Sequence, residues 1–150
     1  MNTKGVFSHN SDEWATPRDL FVTLDAQCHF TLDAAATKEN ALCKKYYTKE
    51  NDGLTKSWKG ETVFCNPPYS NCYVWVYKAC TEALYNSARV IMLLPARTDT
   101  KWFHEFVLPH GAIQFIRGRL KFGSAKNSAP FPSILVAFGF EEHGGIIYNE

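Results

Sequence analysis

Two consecutive prolines, Pro67 and Pro68, follow directly on the apolar run Thr62 to Cys65 and constrain the architecture more than any other feature of the chain. A strand cannot continue through them, because proline lacks the amide proton that a ladder needs and fixes its own φ. The chain must turn at Asn66. From Asn71 to Asn86 it then carries Val76, Cys80, Ala83 and Leu84 at helical spacing, with Trp75 and Tyr73 at the margins of that face. Strand, abrupt loop, helix is the repeating unit of open α/β sheets, which present ligands at the carboxyl ends of their strands.

The rest of the chain continues the alternation. Thr16 can cap a helix with Pro17 at its first position, Asp19 as an early acid and Leu20, Phe21 and Leu24 as its apolar stripe, ending near Cys28. His29 to Asp33 predicts a short strand that ends on an acid ahead of Ala34, Ala35 and Ala36. Arg89 to Leu94 is a continuous apolar run, as expected of a central strand, and Pro95 stops it. Asp99 to Val107 predicts a helix capped by Thr98 or Asp99, with Trp102, Phe103 and Phe106 inward. Beyond residue 110, Ala112 to Ile116 and Arg119 to Phe122 read as strands joined tightly at Arg117-Gly118. Gly123 to Pro132 reads as a loop and Ser133 to Phe140 as a last strand. The expected fold is α/β, a mainly parallel sheet with helices on both faces and a C-terminal antiparallel hairpin.

With 150 residues, 45% hydrophobic and 15% aromatic, there is material for one core, so residues 14–150 are expected to form a single domain behind a flexible polar tail, residues 1–13. No segment approaches 20 consecutive apolar residues, so neither a membrane span nor a signal peptide is expected, and the protein is placed in the cytoplasm. Five cysteines, an odd number without a C-x-x-C pair, argue against a disulfide framework and against a metal site. A cysteine nucleophile would need Cys65 within a Pro-Cys loop, but it precedes Asn-Pro-Pro.

The net charge of +1 does not by itself announce a nucleic-acid partner. Its distribution is more informative. Arg97, Lys101, Arg117, Arg119, Lys121 and Lys126 face only Asp99 and Glu105 in the same stretch. They read either as a DNA-binding lip or as an ordinary solvated face.

Asn66-Pro67-Pro68-Tyr69 carries the chemistry. An aromatic exocyclic amine is a poor nucleophile because its lone pair is delocalised into the ring. Two acceptors on its hydrogens can hold the nitrogen in a geometry that frees the lone pair. Asn66 supplies a side-chain carbonyl, and Pro67, held extended by Pro68, can supply a main-chain one. Tyr69 offers a flat face to a base swung out of a duplex.

The tetrapeptide resembles motif IV of amino-methyltransferases, and its surroundings resemble the phage-type DNA N-6-adenine methyltransferase (Dam) family. The similarity extends, in that family's order, to Trp14-Ala15-Thr16-Pro17, Leu32-Asp33-Ala34-Ala35-Ala36, Asn51-Asp52-Gly53-Leu54, Leu94-Pro95-Ala96-Arg97, Gly118-Arg119-Leu120-Lys121-Phe122 and Phe131-Pro132-Ser133. It spans the chain from about Trp14 to Gly139.

The resemblance implies a Rossmann-like methyltransferase fold that binds S-adenosylmethionine, releases S-adenosylhomocysteine and methylates adenine N6 in double-stranded DNA, as a monomer or homodimer, in a bacterial or phage-infected cell. It implies cofactor contacts from Asp33, Ala34 and Ala35, from Asp52 near the adenosine portion, and from Trp14, Thr16 and Pro17 over the methionine portion. It departs from the motif in one respect: Ala34 to Thr37 stands where a glycine-rich turn is usual. Two other readings of the same residues are a protein glutamine N5-methyltransferase and a catalytically idle DNA-binding domain of the same fold.

Overall fold

The computed structural model describes residues 14–123 and 126–140; the expected tail, residues 1–13, lies outside them. A five-stranded mixed sheet runs in the order β1-β2-β3-β5-β4, formed by β1 (Leu32–Asp33), β2 (Thr62–Cys65), β3 (Arg89–Pro95), β4 (Ala112–Phe115) and β5 (Ser133–Phe138). Among the described residues three helices accompany it: α1 (Arg18–Cys28), α2 (Cys72–Tyr85) and α3 (Leu108–His110). A π-helical turn, Phe103–Val107, leads into α3.

The first three strands are parallel neighbours, with Leu32 opposite Val63 and Phe64 opposite Ile91. The sheet is thus parallel on one side only, because β5 runs antiparallel to both β3 and β4. β3 is buried from Val90 to Pro95, as its unbroken apolar run requires.

Several expectations need correction. The hairpin partner of β4 is β5 rather than Arg119 to Phe122, which forms no strand. The reason is burial. Ser133–Phe138 is buried along nearly its whole length, as suits an interior strand flanked by β3 and β4, whereas Arg119 and Lys121 are exposed to water. Phe122 is instead carried off the sheet to pack on Trp14 and Phe131.

The first helix starts at Arg18 with Pro17 at its cap, and no side chain caps it. His29 closes that helix in the left-handed conformation, so β1 begins only at Leu32. Leu84, expected inward, is half exposed, while Trp75, expected at the margin, is buried. The turn after β3 becomes helical at residue 101, and Thr98 meets the His104 ring through its carbonyl instead of capping with its hydroxyl.

Packing fixes where the loops go. Phe21 of α1 meets Phe64 of β2 edge to face at 5.3 Å, and Phe30 joins them. Side chains alternate along a strand, so Cys65 turns to the opposite face, where the Cys72 thiol at the start of α2 is close enough to act on it electrostatically. Among the described residues no helix is long and apolar enough to cross a membrane.

Candidate active site

The carboxyl ends of β1 and β2 open into a cavity of about 960 Å³. Asp33 and the alanines after it form one wall, Asp52 and Gly53 a second, Asn66 and Pro68 a third, and Trp14, Ala15 and Thr16 line the cavity beside Asn66. Ligand pockets usually fall between about 300 and 1,000 Å³, so the space suits a nucleoside-sized cofactor with room for a second group.

Asp33 ends β1 and is almost fully buried. Its main chain bonds to both Lys45 and Tyr47, which adds a short bridge at the edge of the sheet. One carboxylate oxygen accepts from the Leu42 N–H at 3.1 Å. Burial raises its pKa from the usual carboxylate range to about 6, with the N–H groups of Leu42 and Ala35 opposing the rise.

The missing glycine-rich turn now has a structural account. The N–H groups of Ala34, Ala36 and Thr37 are all occupied, by Phe64, by Tyr47 and by the Asn40 side chain. The turn therefore offers a ligand small methyl surface and the Asp33 carboxylate, and does not act as a phosphate-type cradle of free amides. Close approach of backbone occurs instead at Gly53, where an added Cβ would collide with the Ala34 carbonyl and press on the Trp75 ring at 3.3 Å.

Asp52 has a left-handed backbone, and its side chain accepts from the Leu54 N–H at 3.1 Å, so it shapes its own turn as well as lining the cavity. Trp75, which the helical pattern alone placed at a margin, lines the same wall and stacks on Trp58 at 6.4 Å. Its signal in the sequence was weak, because a tryptophan in a helix is ordinarily core.

Asn66 occupies the end of β2. Its Nδ2 lies 2.5 Å from the Trp14 carbonyl and 3.0 Å from the Thr16 hydroxyl oxygen. Its Oδ1 is buried and has no hydrogen-bond partner among the described residues. A buried acceptor left without a donor costs about 1–3 kcal/mol, and such an atom calls for an explanation.

Pro67 is buried, and the Pro68 carbonyl accepts from the Asn71 N–H at 3.0 Å, which starts the turn into α2. Tyr69 is buried too. Its hydroxyl donates to the Leu93 carbonyl at 3.2 Å, and its ring sits among Phe122 and Phe131. Trp14 packs edge-on against both phenylalanines, and the Gly123 N–H donates to the Ala15 carbonyl. The segment after β4 is thereby fastened to the Trp14 to Thr16 segment that lines the cavity.

Pro17, Pro67 and Tyr69 do not line the cavity, whereas Trp14, Thr16, Asp33, Ala34, Ala35, Asp52, Asn66 and Pro68 do. Arg97, Lys101, Arg117, Arg119, Lys121 and Lys126 are all exposed, and none forms an ion pair with a described residue. Arg97 lies over the Phe131 ring at 5.9 Å and borders the aromatic cluster, while Arg119 and Lys121 are exposed on the segment that leads to Phe122. Among the described residues no group of three His, Cys, Asp or Glu side chains could hold a metal ion.

Comparison with known proteins adds an independent line. The family described as DNA N-6-adenine-methyltransferase (Dam) matches residues 4–136. The DNA N-6-adenine-methyltransferase of Haemophilus phage HP1 is 32% identical over 146 residues, covering 92% of this chain and 84% of that protein. The DNA N-6-adenine-methyltransferase of Escherichia phage T1 is 41% identical over 96 residues, covering 63% of this chain. The match takes in 40% of the phage T1 protein's length.

Proposed function

The chain belongs to the DNA N-6-adenine-methyltransferase (Dam) family, and from that premise we propose that it transfers the methyl group of S-adenosylmethionine to N6 of adenine in double-stranded DNA. The mixed sheet, with Phe64 turned to α1 and Cys65 to α2, is consistent with a Rossmann-like methyltransferase fold that has helices on both faces. Within it, S-adenosylmethionine would lie in the cavity, its donor groups on the Asp33 and Asp52 carboxylates and its flat ring system near Gly53 and Trp75. The bound sulfonium supplies the methyl group. Release of S-adenosylhomocysteine completes the turnover, and no metal is invoked.

The observation that carries the reading is the unpartnered, buried Oδ1 of Asn66 at the end of β2. An acceptor held there in a water-poor setting suits the hydrogens of an exocyclic amine, which delivers the missing donor. Holding the amine beside the methyl donor converts an unfavourable encounter into an aligned one. The Pro67 carbonyl is the proposed second acceptor.

In this structure Tyr69 is covered by Phe122 and Phe131, and Asn66 Oδ1 is shut off from water. Entry of a flipped base therefore requires the Phe122 and Phe131 rings to withdraw. Such opening steps commonly gate turnover. Arg97, Lys101, Arg117, Arg119, Lys121 and Lys126 are the proposed phosphate contacts around that entrance. The setting proposed for this activity is the cytoplasm of a bacterial or phage-infected cell.

The test is nucleoside analysis of DNA treated with the protein and S-adenosylmethionine, with Asn66→Ala alongside. N6-methyladenine from the parent chain and none from the variant is the expected result.

A further inference from the structure

The Asn66 carboxamide is held from one side only. Its Nδ2 faces two oxygens, the Trp14 carbonyl and the Thr16 hydroxyl, contributed by a segment about fifty residues away in sequence. A hydroxyl can donate or accept, so Thr16 alone would allow either rotation of the amide. The Trp14 carbonyl accepts only, so the reversed rotation would set two acceptors against each other. The Oδ1 that lacks a partner is thus the atom left over once Nδ2 is fixed.

We propose that Trp14 and Thr16 form a cradle that sets the rotation of the Asn66 carboxamide, making Thr16 a positioning residue for methyl transfer and making asparagine, not aspartate, the required residue at 66. This rests on the reading of Asn66 as the holder of the target amine. The hydroxyl of Thr16 is then directed at Asn66, and its part in cofactor binding is confined to forming the cavity wall.

Aspartate exposes the point. An ionised carboxylate at 66 would place an oxygen against the Trp14 carbonyl, and only a protonated one could donate to it. Acid should therefore rescue Asn66→Asp. Other titratable groups share the cavity, namely Asp33, Glu39, Asp52 and Lys49, while Cys65 precedes Asn66, Tyr69 follows it and Arg97 lies beyond Phe131. All are present in the parent chain, so the activity ratio of variant to parent isolates residue 66.

The experiment compares the parent chain, Thr16→Val, Thr16→Ser and Asn66→Asp for single-turnover rate on duplex DNA, S-adenosylmethionine affinity by calorimetry, and the side-chain amide resonances of Asn66 by NMR. Thr16→Val should slow transfer about tenfold, the equivalent of removing one hydrogen bond, at cofactor affinity within about twofold, and Thr16→Ser should restore most of the rate. The Asn66→Asp to parent ratio should rise as pH falls from 8 to 6. The Asn66 amide protons should shift in Thr16→Val and return in Thr16→Ser.

A Thr16→Val chain with full rate, or with weakened cofactor binding at unchanged rate, overturns the proposal, as does a pH-independent Asn66→Asp ratio. The amide resonances separate the two levels. Unperturbed resonances in Thr16→Val refute the cradle whatever the enzyme does. Resonances perturbed in Thr16→Val, together with a parent chain that methylates no adenine, leave the cradle standing as a contact but refute its role in transfer and the reading it rests on.

Discussion

The rings of Tyr69 and Phe131 meet nearly edge to face, with centroids 5.6 Å apart and planes at 74°. With Phe122 on the same ring at 6.3 Å and the Tyr69 hydroxyl bonded to the Leu93 carbonyl, the tyrosine of the Asn66 to Tyr69 loop is anchored to β3 and closed over. Burial also holds its phenol well above the ordinary range, so it stays a neutral donor. Tyr69→Phe keeps the ring contacts and strands the carbonyl. It should lower stability by about 1 kcal/mol, read as a shifted urea midpoint at unchanged slope. An unshifted midpoint would show that the Leu93 bond contributes nothing.

With the proposed contact from Asp33, cofactor binding should depend on pH. Its carboxyl titrates near 6 in the folded chain against an ordinary value of 3.8, because burial disfavours the charge. Between those values the folded state keeps a proton that the unfolded state has lost. Its contribution to stability is therefore greatest below about pH 4, declines as pH rises to about 6, and is level above. Ligand donors prefer the carboxylate, so affinity should run the other way. S-adenosylmethionine should bind about tenfold more weakly at pH 5 than at pH 7.5, and Asp33→Asn should weaken binding and flatten this dependence. Calorimetry that gives equal affinity at both pH values removes Asp33 from the contact.

Gly53 sits where the chain passes closest to the Ala34 carbonyl and Trp75. Gly53→Ala should push these two walls apart at a cost of about 1–3 kcal/mol and reduce cofactor affinity alongside. Thermal unfolding with and without S-adenosylmethionine reads both effects. A variant as stable and as tightly bound as the parent would show that the wall yields freely.

The exposed cations of the segment leading to Phe122 should register as salt dependence. Replacing both Arg119 and Lys121 with alanine should reduce the slope of log affinity against log salt by about 0.9 for each phosphate that is no longer neutralised. An unaltered slope assigns those two residues to ordinary solvated surface.

The parts of the fold that were legible in the sequence are those with local causes. Pro67 and Pro68 end β2 whatever surrounds them, and Pro95 follows an apolar run that only a central strand explains. Residues governed by distant partners were not legible. Thr16 resembled a helix cap because its neighbours are Pro17 and Asp19, yet its hydroxyl is taken by Asn66. Arg119 to Phe122 alternates like a strand, yet β5 claims β4 as its partner, and Phe122 is drawn to Trp14. Trp75 carried no mark of a cavity wall. Its place follows from Gly53, which arrives from another loop. The acid at Asp33 was visible, but its raised pKa comes from burial that only the folded chain provides, with the Leu42 N–H opposing the rise.

The most direct measurement treats unmethylated duplex DNA with the parent chain and with Asn66→Ala in the presence of methyl-labelled S-adenosylmethionine, then digests it to nucleosides. The account predicts label in N6-methyldeoxyadenosine from the parent, none from the variant, and cofactor affinity retained by both. Label in protein instead of DNA, equal label from both chains, or no label despite bound cofactor would contradict it.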